Sequence, residues 1–287
     1  MIEFLTGKDP WIAATSGERL LFSLLHHHSD WKALAGALKT ANVQMARRFD
    51  GLANFFVGAS VLHLQQRLIR QAQDVRELYP FDRTQQVTEL RIRAQDVVGL
   101  SPASYSGDFS ALIDEVLTSA EQLNAKLTSG LKNLVRRAGS NHCHSCGLEF
   151  GIIPDEGTEV LIASADHVWP RALGGDTSVD NLIPTCSVCN SKKGHIAAWQ
   201  MAWIQPIVFS DADETNSLKA FPRDLQIALH IRAAMAYAQA NGTTLKDAFL
   251  MIGPREKPAR IDPDQGYDFF NLRVHDPLRT NVNWIPN

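Results

Sequence analysis

The sequence predicts a mainly α-helical protein in three parts, on three observations. Apolar residues recur at three- and four-residue steps through residues 1–138, the period of a helix with one buried face. All four cysteines of the 287-residue chain fall in two Cys-x-x-Cys pairs, Cys143/Cys146 and Cys186/Cys189, a spacing that makes two tight knuckles around one tetrahedral zinc ion. Between the pairs the chain twice becomes β-branched and apolar, and a helical stretch follows. The expected organisation is a helical N-terminal domain over 1–138, a zinc-stabilised module of two strands and a helix over 139–203, and a helical plus irregular C-terminal region over 204–287.

Taken in order, Asp9-Pro10 reads as a cap with proline at the first helical position, opening a helix that carries Ile12, Leu20, Leu21, Leu24 and Leu25. His26-His27-His28 reads as its end, with exposed imidazoles, because consecutive helical residues point in different directions and do not converge on one metal. Ser29-Asp30 caps a second helix with the stripe Trp31, Leu34, Leu38 and Val43. A third runs from about Leu52 to Leu78 and stops at Tyr79-Pro80. A fourth opens near Thr84 and ends before Ser101-Pro102. A fifth, from about Asp108, is expected to run unbroken through Leu112, Val116, Leu123, Leu127, Leu131 and Leu134.

In the central stretch, residues 159–167 and 181–186 read as strands, and a helix is expected from Ser187 through Trp199. Pro170, Gly174, Gly175 and Asp176 between the strands are turn residues. Gly147, after the first cysteine pair, stands where a knuckle needs positive φ. Beyond a linker at 204–216, helices are expected from Pro222 to Ala240 and from Thr244 to Met251, with Asn241-Gly242 as the stop between them. The proline-rich end, with Tyr267, Phe269, Phe270 and Trp284, is expected to lie over another surface.

Composition narrows the function classes. At 45% hydrophobic the chain can bury a sizeable core, and no apolar run reaches the roughly 18 residues of a membrane span. A cytoplasmic protein without a secretory leader is expected, in which paired thiols bind zinc rather than form disulfides. A net charge of −3 gives no global case for nucleic-acid binding, so any such surface must be local. Arg47 with Arg48, Arg67 with Arg70, and Arg91 with Arg93 read as solvated helix faces. Lys132, Arg136 and Arg137 adjoin the cysteine stretch and are the exception.

Asp166 and His167 are adjacent, and on an ideal strand they point to opposite faces, so both serve one site only if the strand ends there. Asn190, one turn into the following helix, can face back at Asp166. Lys193 lies on the same side, and Lys192 points away. A carboxylate and an amide oxygen are hard ligands suited to Mg²⁺, not to a thiolate-bound zinc. An imidazole with one nitrogen held by a partner can take a proton from water at neutral pH.

The order Cys-x-x-Cys, Asp-His, Gly-Gly, Asp-Asn-Leu, Cys-x-x-Cys-Asn, Lys-Gly resembles the HNH endonucleases, whose fold is also called ββα-metal or His-Me finger. The resemblance covers roughly residues 140–199 and implies hydrolysis of a DNA phosphodiester. By its terms His167 is the general base, Asp166 and Asn190 hold one Mg²⁺ or Mn²⁺, and Asn181 ties down the loop that orients the base. The third letter of the motif is Asn190 instead of histidine. Lys193 or Arg171 then holds the phosphate, with Lys192, Arg136 and Arg137 as further nucleic-acid contacts. One base and one cation cut one strand per visit, so nicking is the expected product.

From Ser140 to Trp203, Arg171, Lys192 and Lys193 stand against Glu149, Asp155, Glu156, Glu159, Asp166, Asp176 and Asp180, a net −4. Such a module grips DNA poorly by itself, since phosphate contacts dominate affinity. The flanking helices or a partner protein are expected to supply the grip or the restraint, an arrangement compatible with an effector of anti-phage defence. His142 and His144 flank a metal site that four thiolates already complete. His195 reads as an exposed helical residue, and Trp199 with Trp203 as core. The competing reading is a zinc-stabilised nucleic-acid or protein binding module without chemistry. Nothing in the sequence specifies an oligomeric state.

Overall fold

The computed structural model describes residues 9–28, 31, 33, 37, 46–138, 141–151, 162–194 and 223–254. Most of the expected second helix, the start of the expected first strand, the linker, the C-terminal segment, and His195, Trp199 and Trp203 lie outside the described residues, as do the side chains of Arg47, Arg48 and Arg137. The described chain is mainly helical, with one two-stranded sheet.

The first helix, α1 (Ser16–His27), starts later than Asp9-Pro10 suggests. Thr15 Oγ1 accepts from the Glu18 amide at 3.1 Å while the Glu18 carboxylate accepts from the Thr15 amide at 2.9 Å. This reciprocal capping box satisfies two amides that a proline start leaves open, and such a cap is worth about 1 kcal/mol. The buried Trp11 anchors the same carboxylate through its indole N–H at 2.8 Å. Of the histidine triplet only His27 is exposed, correcting the expectation for the other two. His26 meets Asp9 at 2.8 Å and His28 is buried against Trp31.

Helix α2 (Ala46–Leu78) ends at Tyr79-Pro80, and α3 (Arg83–Arg93) continues as a π-helical turn, Ala94–Val98, that closes on Gly99 at φ +82°. The expected long fifth helix is two: α4 (Phe109–Glu121), followed by a 3₁₀ turn at Gln122–Asn124, and α5 (Ser129–Ala138). Thr128 starts the second by accepting the Leu131 amide on Oγ1 at 3.2 Å. The break has a packing reason. Leu127 and Leu131 leave the main core for a small separate cluster with Val135, Ala165 and Leu182 on the sheet.

That sheet is a hairpin of β1 (Ala163–His167) and β2 (Leu182–Cys186), antiparallel, with Asp166 opposite Ile183 and His167 opposite Leu182. Helix α6 (Ser187–Lys193) follows at once and ends at Gly194, φ +50°, instead of running on to Trp199. Helices α7 (Arg223–Asn241) and α8 (Leu245–Ile252, capped by Thr244) match the expected pair. The hairpin lies between α5 on one face and α6, backed by α7, on the other.

One hydrophobic cluster joins all three expected parts: Leu20, Leu68 and Val116 from the helical region, Cys143, Val168, Trp169 and Ile183 from the centre, and Ile231, Met235 and Phe249 from α7 and α8. The Trp11 and Trp169 rings, both members of this cluster, lie 6.2 Å apart. No helix among the described residues is long and apolar enough to cross a membrane.

Candidate functional site

The four sulfurs of Cys143, Cys146, Cys186 and Cys189 all lie within 4.8 Å of one another, and no pair is a disulfide. A tetrahedron with zinc–sulfur bonds of 2.3 Å has sulfur–sulfur edges of about 3.8 Å, and Cys146 and Cys186 are 4.0 Å apart. Each knuckle turns its amide onto its own first sulfur: Cys146 N–H on Cys143 Sγ at 3.5 Å, Cys189 N–H on Cys186 Sγ at 3.3 Å. Gly147 has φ +74°, the left-handed turn that closes the first knuckle. Hydrogen bonding from the other three thiols draws the Cys186 thiol far below its ordinary range, while the same contacts push Cys189 up. Soft donors, spacing and amide support fit a structural zinc. His142 is exposed beside the cluster, and His144 is buried with neither ring nitrogen partnered.

The hairpin's outer end carries the remaining candidates. Strand β1 ends at His167, as the turn residues imply, and its alternation sends Ser164 and Asp166 to the α6 face and His167 the other way. On the α6 face Asn190 Nδ2 donates to Ser164 Oγ at 2.8 Å, one strand pitch from Asp166. Lys193 Nζ stands 3.0 Å from each carboxylate oxygen of Asp166 and also contacts the His167 carbonyl. Lys193, expected at a phosphate, is thus 4% exposed, and Asp166 is 6% exposed. Ile227, His230 and Phe249 of α7 and α8 share a small cavity with this pair. Burial pushes the Asp166 carboxyl above its ordinary range, and the Lys193 charge opposes that shift. The Asp166 carboxylate and the His167 carbonyl hold the Lys193 ammonium between strand and helix, while Asn190 reaches Ser164 and not Asp166. A carboxylate and an amide oxygen form a donor set suited to a hard divalent ion.

On the opposite side, His167 Nε2 lies 3.0 Å from Thr177 Oγ1. Burial first, then the charges of Arg171 and Lys193, lower the His167 pKa to about 4, so the imidazole is neutral at pH 7. Asn181 is buried and fully used: its Oδ1 accepts from the Trp169 amide at 2.7 Å, and its Nδ2 donates to the carbonyls of Trp169 at 3.0 Å and Asp176 at 2.9 Å. It therefore ties both ends of the loop between the strands. Within that loop a Cβ on Gly175 would sit 1.9 Å from the Trp169 carbonyl oxygen, so only glycine fits.

The basic candidates are spread out. Arg171 is exposed and reaches the Ala125 carbonyl at 3.4 Å, and Lys192 is exposed on the far side of α6. Arg136 is exposed and, with Lys132 and Asn133 of α5, lines a cleft of about 350 Å³ along Ala163–Ala165 of β1. Thr177 and Ser164 are partners that sequence reasoning missed. Each is a common residue type whose use depends on which side chain folds back onto it, and no spacing announces that.

A hairpin and helix with thiolate knuckles at the base and Asp-His at the strand end define a metal-supported nuclease-type module. Residues 143–195 match the family model described as HNH endonuclease, and the chain carries an HNH endonuclease domain there. No curated protein and no solved structure matches the chain.

Proposed function

We propose that the protein is a metal-dependent DNA endonuclease that nicks one strand per encounter. His167 takes a proton from water, the water oxygen attacks phosphorus in line, and the bond from phosphorus to the 3′ oxygen breaks; the 3′ oxygen takes a proton from a solvent water and His167 returns its own to solvent, leaving a 5′-phosphate and a 3′-hydroxyl. The observation that carries this reading is a neutral imidazole, held through one nitrogen, at the end of a strand whose other face carries the Asp166 carboxylate and, two residues back, the Ser164 that the Asn190 amide reaches. Asp166 and Asn190 would hold Mg²⁺ or Mn²⁺, which supplies charge stabilisation at the phosphate and the departing oxygen. Lys193 then leaves Asp166 for the phosphate, while Arg171, Lys192, Arg136 and Arg137 meet the nucleic-acid backbone. The cleft beside α5 is the favoured path for the strand, because Lys132 and Arg136 line it while the rest of the module is acidic.

One observation favours the competing reading of a binding module without chemistry. Asp166 is already paired with Lys193 and shares a small cavity with α7 and α8. The same pairing supports a restrained effector that awaits a partner, as in anti-phage defence. The readings separate in a supercoiled-plasmid assay with Mg²⁺ or Mn²⁺. The nuclease predicts nicked circles from the wild type and loss of about 100-fold or more in His167→Ala and Asn190→Ala. Equal behaviour of all three proteins excludes it.

A further inference from the structure

We infer that His167 is set by two positioning residues, Thr177 and Gln122, and that the second makes the helical N-terminal region part of the catalytic apparatus. The inference rests on the reading of His167 as the base and names what aims it. An imidazole swings on a single bond and exists as two tautomers, so a base needs one ring nitrogen fixed to present the other. Asn181 does not do this directly, because all three of its hydrogen bonds go to backbone groups. Thr177 Oγ1 does, at 3.0 Å from Nε2. With that oxygen as acceptor the proton stays on Nε2, which leaves the Nδ1 lone pair as the one that can take a proton from water.

Thr177 is in turn held from outside the HNH segment. Its amide donates at 3.3 Å to Oε1 of Gln122, in the 3₁₀ turn that ends α4. One residue earlier, the Asp176 carboxylate accepts from Ser16 Oγ at 2.6 Å and from the Ser16 amide at 3.1 Å, at the start of α1. The loop that orients the base therefore hangs from two helices more than fifty residues away in sequence, as the Thr177–Gln122 separation of 55 shows. Undocking those helices frees the imidazole without touching the Asp166 face.

The test uses the full-length zinc-loaded protein. Thr177→Val removes the hydroxyl at nearly constant shape, Thr177→Ser restores it, and Gln122→Ala removes the outer link. Nicking kinetics should show kcat lower by about 10- to 100-fold in Thr177→Val, KM within about twofold, and most of the loss recovered in Thr177→Ser. Gln122→Ala should lose about two- to tenfold, the size of one neutral hydrogen bond, and nothing more when added to Thr177→Val. Nitrogen-15 NMR of the His167 ring should show the Nε2–H tautomer in the wild type and a mixture in Thr177→Val. Wild-type kcat in Thr177→Val or in Gln122→Ala, or a serine variant no better than valine, overturns the inference while the nuclease reading stands. Should the wild type fail to nick, that reading falls by itself, and an unchanged tautomer in Thr177→Val then overturns the positioning role as well.

Discussion

The thiol cluster and the Asp166–Lys193 pair lie at opposite ends of the same hairpin and are built on opposite logic. At the base, four thiols crowd within 4.8 Å with no positive charge among them. At the strand end, the Asp166 carboxylate carries its own counter-ion, Lys193 at 3.0 Å. Converging thiolates repel one another unless an ion is supplied, so folding there is coupled to metal. A carboxylate with an internal ammonium folds whether or not a divalent ion arrives. The difference teaches that the thiol cluster needs an ion to hold its shape, whereas the Asp166 carboxylate is already neutralised, so a divalent ion proposed there has to displace a side chain.

The largest expected effect breaks the first half of that contrast. Stripping zinc with a strong chelator, or Cys189→Ser, should unfold the hairpin and α6, since structural zinc sites in isolated modules are worth about 10–16 kcal/mol. Circular dichroism and thermal melts should show it, whereas withdrawal of Mg²⁺ alone should leave the melt unchanged. A chelated protein that melts like the zinc form would show that the knuckles do not need their ion.

Next in size is the internal pair. Asp166→Ala should cost about 3–5 kcal/mol, because it strands a buried ammonium. Adding Lys193→Met should recover most of that loss by replacing the stranded charge with an apolar chain. Denaturant titrations of the two single variants and the double variant measure the coupling. An Asp166→Ala protein of wild-type stability would mean that Lys193 finds water easily and that the place is open.

The smallest effect concerns pH and sharpens the contrast from the other face of β1. The folded His167 pKa is about 4, against an ordinary value near 6.5. Between those values the unfolded chain binds more protons than the folded one, so stability rises with pH. This contribution is complete above about pH 6.5 and is lost as pH falls toward 4. Buried His144 is also lowered and adds to the same slope. The difference between wild type and His167→Gln in Mg²⁺-free buffer isolates the contribution of this imidazole, and identical pH slopes would place it in water.

The thiol cluster and the end of β1 were legible because their patterns are local. Cys-x-x-Cys spacing and Asp166 beside His167 are short-range patterns whose geometry follows from turn and strand periods, whereas the partners of Asn190 and Lys193, Ser164 and Asp166, did not follow from the helix period. The start of α1 was also written locally, in Thr15-x-x-Glu18, a capping box that outcompetes the more conspicuous Asp9-Pro10. The break between α4 and α5 was not, since Leu127 and Leu131 keep helical spacing and turn away only because a second surface, the hairpin, is there to cover them.

The sequence by itself determined which sulfurs could converge, which residues stand as candidates for base and oxygen donors, and that helices would surround them. Tertiary structure alone decided what those groups touch. Lys193 on Asp166, Thr177 on His167 and Gln122 on Thr177 are meetings across 27, 10 and 55 residues. The physical reason is that a side chain's periodicity fixes the face it occupies, whereas its partner is fixed only when packing of the shared core brings a distant segment to that face.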